Sequence, residues 1–319
     1  MTGAKIFIEK SRSVNLATLR YRFRFSYSDK VLTYLENSSF VIMVDGVIVT
    51  HERGSDGSGI SVYGTLIMHS GEISGNTGSG VDNRGIFELY GGKISGNTAF
   101  QGGGVDNSGF FKMFGGEISG NTASTHGGAV YNNCRNIDIL VSGFILFDGI
   151  ISDNHAGFEG GGVYSLSSQF TMLGGTISDN TARQCGGGVS FRDSFVEKFC
   201  SFELSGGVIS GNTAKVGGGV SNVQGIFIMS GGKISKNTVS HDGYGGGVSN
   251  YLGTFKWFGG VIFGNSALNG DDVYSKGGEV YYFGVRNVVV EVVVVVVMGG
   301  VIVSVWLFYL KRRRKYVKT

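Results

Sequence analysis

Proline is absent from all 319 residues, where an ordinary frequency of about 5 % would place roughly sixteen. Without proline, and without glycine at every third position, a collagen-like helix is excluded. Cysteine is scarce too: Cys134, Cys185 and Cys200 are too few and too odd in number for a disulfide framework. Charged residues make up 16 % of the chain and are unevenly placed. Residues 1–40 carry a formal +4 and the tail from Lys311 to Thr319 carries +6, which leaves −7 for residues 41–310. A weakly acidic body excludes nucleic acid as the main partner, because phosphate binding needs a clustered basic surface. What is abundant is glycine, 57 residues, more than twice the ordinary share of about 7 %. Gly-rich linkers are poor in apolar side chains, whereas 41 % of this chain is hydrophobic and 12 % aromatic, enough for a packed core rather than disorder.

Internal repetition organises these residues. GGKISGNTA at 91–99, GGEISGNTA at 115–123 and GGVISGNTA at 206–214 are the clearest copies. Anchored on their asparagine, the series runs Asn76, Asn97, Asn121, Asn154, Asn180, Asn212, Asn237 and Asn265, at intervals of 21 to 33 residues. Although the intervals vary, the positions before each anchor do not. Isoleucine always stands three residues earlier, from Ile73 to Ile262. Ten residues earlier stands Leu66 and then Phe87, Phe111, Phe144, Phe170, Phe202, Phe227 and Phe255. After each anchor a Gly-rich approach leads to a valine, from Val81 to Val273. A degenerate first copy places Val41, Met43, Ile48 and Ile60 in the same roles, with His51 at the anchor.

Each copy holds three short apolar stretches separated by turns and is too small to bury its own apolar face. Stacking at about 4.8 Å puts each Phe on the next Phe and each Ile on the next Ile. Burial of such a side chain contributes on the order of 1.5–3 kcal/mol. The pattern therefore predicts an all-β fold, a parallel β-helix of about nine coils, with the anchor asparagines as a ladder along one turn. The absence of proline agrees, since inner strands need every N–H. Glu72, Lys93 and Glu117 share one repeat position and are expected as an outward stack of alternating charge.

GGxISGNTA followed by GGGVxN and FxM resembles the right-handed parallel β-helix repeats of archaeal and bacterial adhesin-like surface proteins, within the pectin-lyase-like superfamily. It is also similar to the GGA(I/V) and FxxN repeats of the polymorphic outer-membrane adhesins, with a C-terminal helix in place of their β-barrel. The resemblance covers about 41–284. It implies a right-handed solenoid at a cell surface, with adhesion or cell-envelope binding to a glycan or surface protein as its role. The alternative it implies is an extracellular polysaccharide lyase or hydrolase on the same fold.

Residues 288–310, VVVEVVVVVVMGGVIVSVWLFYL, carry Glu291 as their one charge and are followed at once by KRRRK. Twenty-three residues at 1.5 Å each exceed a hydrocarbon core of about 30 Å. A transmembrane helix is expected over 285–310, with the basic tail 311–319 cytoplasmic and the repeat domain 41–284 extracellular. The basic segment 1–40 is expected as an N-terminal cap, with Arg20, Arg22 and Arg24 alternating against aromatic residues as in a strand. It holds no apolar run of signal-peptide length, so the expectation is either that the start lies inside a longer gene, the reading favoured, or that the chain is not exported in the usual way.

No repeat position gathers the acids that polysaccharide cleavage requires, so no catalytic residue and no cofactor is assigned. Asp82 and Asp106 fall on adjacent coils as a candidate metal pair but lack a third acid. The histidines 51, 69, 126, 155 and 241 share no register, so no shared metal site is expected. The Gly triplets precede strands and not helices, which makes them structural rather than phosphate cradles. The candidate binding surface comes from loop lengths. From the Val of one copy to the Phe of the next takes 6 or 7 residues in most copies, but 14 from Val130 to Phe144 and 13 from Val189 to Phe202. Both insertions leave the same corner and carry Tyr131, Arg135 and Asp138, then Phe191, Arg192, Asp193, Phe195 and Lys198, residue types common among binding anchors. Cys134 and Cys200 lie in these loops and are a candidate disulfide in an oxidising exterior.

Overall fold

The computed structural model describes residues 34–35, 40–43, 48–49, 57–133, 143–193, 200–282, 296–298 and 301–303. From Tyr34 to Tyr282 every strand-to-strand ladder is parallel, and the strands stack into four long sheets, one coil of chain contributing one strand to each. One sheet collects the Phe-x-Met strands, ten of them from Phe40–Met43 to Glu279–Tyr282. A second of ten strands collects the valine positions, ending at Val273–Lys276, and a third of nine collects the isoleucine strands, ending at Val261–Phe263. The fourth was not foreseen: the Thr-Ala pairs after the anchor form a six-stranded sheet of their own, from Thr98–Ala99 to Thr238–Tyr244. Alanine is inward there because this side of the coil leaves little room, and Ala156, Ala182 and Ala214 make a small core of their own.

Register is locked by identical residues. Phe111 pairs with Phe87 on one side and Phe144 on the other, and Phe227 pairs with Phe255. Along the column the rings lie 4.6–5.0 Å apart and within 3–12° of parallel. All are buried, as are the Ile column and the Val column up to Val248, with Val273 partly buried at the end, so each coil covers apolar surface that the preceding one would expose to water. The first copy keeps its expected phase at Val41, Met43 and Ile60, which pair with Leu66, Met68 and Val81, and is offset by one residue at its isoleucine position. Val49, not Ile48, pairs with Ile73 and is buried, while Ile48 pairs with Glu72.

The anchor turn needs a left-handed residue before each asparagine. Gly75, Gly96, Gly120, Gly211 and Gly264 supply it, and so do Asp153, Asp179 and Lys236, all with φ between 57° and 68°. At Gly96 and Gly120 an added Cβ would meet nothing within 4 Å, so the demand is one of backbone conformation and not of space. On the outer face Glu72 pairs with Lys93 and Lys93 with Glu117, whose carboxylate lies 3.0 Å from Nζ of Lys93.

Of the expected transmembrane segment, Val296–Met298 and Val301–Val303 are described, and they pair antiparallel with each other. Among the described residues no helix is long and apolar enough to cross a membrane. The remainder of 285–310, the tail 311–319 and most of 1–40 lie outside the described residues.

Candidate functional site

Two asparagine columns run along the rod, one in the turn after the isoleucine strands and one at the corner where the insertions leave. In the anchor column Nδ2 of each Asn donates to Oδ1 of the next at 2.7–3.0 Å, unbroken from Asn76 through Asn97, Asn121, Asn154, Asn180, Asn212 and Asn237 to Asn265. The same Oδ1 accepts the preceding backbone N–H, and each Nδ2 also reaches back to the carbonyl of the isoleucine position, Val49 for Asn76 and Ile94 for Asn121. Asp272 closes the end of the column by accepting from Asn265 at 2.9 Å. The second column follows the valine strands and was not anticipated from the sequence: Asn83 donates to Asn107 and Asn107 to Asn132. It is interrupted by Ser165 and Phe191 and resumes as Asn222 donating to Asn250. The signal was present as the Asn of GGGVxN.

Arg135, Asp138, Cys134, Phe195 and Lys198 lie outside the described residues. The described candidates divide. Phe191 is wholly buried, set edge-on against Phe202 and Phe227, so it is core and not a surface anchor. It occupies the inward position of the second asparagine column, which in this coil is apolar. Asp193 is buried and its Oδ2 accepts from the Cys200 backbone N–H at 3.5 Å. Cys200, whose candidate partner Cys134 lies outside the described residues, is a free thiol buried among the core residues. Its sulfur faces the Ser165 carbonyl at 3.6 Å, and burial pushes the thiol up to about 12. Tyr131 is 4 % exposed and stacks on Tyr164 with centroids 5.6 Å apart. Arg192 projects outward, and its Nη2 lies 2.8 Å from Oε1 of Glu159.

Around Arg192 the fold assembles a polar ledge whose other members the sequence reading passed over. His126 stands directly before Gly-Gly-Ala, and Glu159 and Cys185 before Gly triplets, in three successive coils, and the three are bridged in register. Comparing histidines only with one another hides this column; aligning every residue before the first triplet glycine exposes it. Those glycines have φ of 68°, 69° and 64° at Gly127, Gly160 and Gly186, and the side chains before them lie against the valine strands, Glu159 at Ser190 and His126 at Tyr164. Glu159 is buried, and besides Arg192 its Oε2 accepts from Ser190 Oγ at 3.2 Å. The His126 ring lies 4.6 Å from that of Tyr164, and its Nδ1 is buried with no hydrogen-bond partner. Burial lowers the His126 pKa against the opposing pull of Glu159, so the imidazole is neutral at pH 7. Burial, then Glu159, raises Cys185 to about 11 and pushes the Tyr164 phenol far above its usual range. The ledge thus offers neutral donors and acceptors around one arginine-paired carboxylate, and no activated thiolate.

Elsewhere, Asp82 and Asp106 are neighbours in register, and Arg84 holds Asp82 at 3.1 Å. No group of three metal-ligating side chains occurs among the described residues. On the outer surface His69, Tyr90, Phe114 and Phe147 form a column with centroids 4.5–5.0 Å apart. Compared with protein-family models, with curated proteins and with solved structures, the chain matches none.

Proposed function

We propose that this chain is a membrane-anchored, extracellular surface protein of the right-handed, pectin-lyase-like kind, adhesin-like or binding a cell-envelope glycan or protein through one corner of its rod. The observation that carries the reading is the concentration of irregularity at that corner. The stacked columns run through the coils, both insertions and the break in the second asparagine column fall at that corner, and the ledge of His126, Glu159 and Arg192 lies along the valine strands that lead to it. A rigid rod with variable elements on one face suits a binding role, because the core holds their spacing while leaving their sequences free.

The anchor reading rests on the apolarity of 288–310 and the basic cluster after it. Two three-residue strands, such as those at 296–298 and 301–303, leave backbone groups unpaired, which a hydrocarbon core does not tolerate. In a bilayer the same residues are therefore expected as a spanning helix with Lys311 to Lys315 cytoplasmic.

The test is glycan-array binding by the full chain in detergent micelles, with and without residues 194–199. Asp193 is buried and Arg192 is ion-paired, so the deletion begins beyond them. Loss of binding with melting temperature unchanged is expected, and retained binding would move the site away from this corner. Release of reducing ends or unsaturated products from a polysaccharide, abolished by Glu159→Gln, would instead assign the ledge to the enzymatic alternative.

A further inference from the structure

Large exposed apolar side chains are unevenly spread along the rod. Among the described residues none lies between Leu173 and Tyr244, and eight then follow within residues 244–282. Tyr251, Leu252 and Phe258 ring the next-to-last coil, and Val261, Phe263, Leu268 and Tyr282 ring the last. Leu268 is 70 % exposed and Phe263 48 %. The opposite end differs, for there the strands at 34–35, 40–43 and 48–49 lie over the first regular coil. An apolar belt of this kind, beyond coils between Leu173 and Tyr244 that expose no large apolar side chain among the described residues, marks an interaction surface.

Chain length limits what can cover it. Tyr282 is six residues from Val288, the first residue of the apolar run, and an extended chain covers at most about 3.6 Å per residue, or about 20 Å in all. If 288–310 spans a bilayer, this end of the rod is held at the membrane surface. We propose that the C-terminal coil docks end-on in the headgroup layer of that membrane, with its belt as the contact. The proposal rests on the anchor reading above.

The chemistry of the end fits the interfacial layer and not the hydrocarbon. Phenylalanine and tyrosine are at home at headgroup level. Val261–Phe263 is the last strand of its sheet, so its outer edge needs hydrogen-bond partners, which water and headgroups supply and acyl chains do not. Residues 261–282 hold Asp271, Asp272 and Glu279 against Lys276, a net −2. Docking is accordingly driven by apolar contact and gains nothing from anionic lipid.

The chain has two tryptophans, Trp257 and Trp306, which allows single-reporter variants of the full chain in phosphatidylcholine vesicles with acyl chains brominated near the headgroup. With Trp257→Phe and Trp306→Phe as background, Leu268→Trp reports the end of the rod. Phe100→Trp, in the same background, reports a 70 % exposed site six coils away, or about 29 Å. Trp257→Phe alone leaves Trp306 to report the anchor. Loss of emission relative to unbrominated vesicles is expected at positions 268 and 306 but not at 100. Loss at 306 without loss at 268 overturns end-on docking and leaves the anchor standing. Loss at 100 as well means a rod lying flat, which also overturns it. No loss at 306 overturns the anchor reading itself.

Discussion

The two asparagine columns are made of the same residue doing the same kind of bonding, yet one is unbroken from Asn76 to Asn265 and the other is interrupted at Ser165 and Phe191. The unbroken column sits in a turn of constant length, Ser-Gly-Asn-Thr or a close variant. There each amide ties three coils together: it donates forward to the next Asn and back to an isoleucine carbonyl, and it receives from the coil behind. The interrupted column sits at the corner where the chain departs for the insertions after Asn133 and Asp193. Asn132 keeps its place at the first insertion and donates to Ser165 Oγ at 3.1 Å, and packing replaces hydrogen bonding at Phe191, seated against Phe202 and Phe227. Where the repeat is strictest the residues hold the rod together, and where it relaxes the surface becomes free to differ.

That contrast can be broken most directly at Phe191. As a buried core aromatic its replacement by Ala is expected to cost about 3–5 kcal/mol in urea unfolding; a near-neutral variant that loses binding would return it to the surface. The columns themselves differ next. Asn180→Ala strands the backbone N–H of Asn154 and removes the bonds from the Asn154 side-chain amide, to the Ile151 carbonyl and to Asn212, an expected loss of about 2–4 kcal/mol. Asn222→Ala removes bonds to Gly225 and Asn250 in the interrupted column, where about 1–2 kcal/mol is expected. Equal losses at the two positions would mean that the interruption has no energetic meaning.

The smallest expected effect is electrostatic. The folded His126 pKa lies below its ordinary value because burial disfavours the cation, with Glu159 opposing and Arg192 assisting. The unfolded chain therefore binds more protons as pH falls through about 6.5, and stability declines in that window toward the folded value. Urea midpoints followed from about pH 8 to about pH 5 should fall more for the native chain than for His126→Gln. An unchanged difference between the two would show that His126 titrates as it does in the unfolded chain.

Much of this molecule was legible in the one-dimensional pattern. Phe87 to Phe255 and Ile73 to Ile262 recur in phase with the anchor asparagines, and parallel stacking in register is the arrangement that buries both columns at once. The left-handed turns at Asp153 and Asp179 were legible because few side chains besides glycine tolerate that backbone. The phase of the first copy was not, since Ile48 and Val49 are equally apolar and only pairing with Ile73 selects one of them. Nor was the inward turn of Phe191 or the free thiol of Cys200, because a side chain at the start of an insertion takes its direction from the core it finds. The ledge depended most on tertiary structure. His126, Glu159 and Arg192 are separated by about thirty residues each, differ in type, and meet because stacking about 4.8 Å per coil turns sequence distance into adjacency.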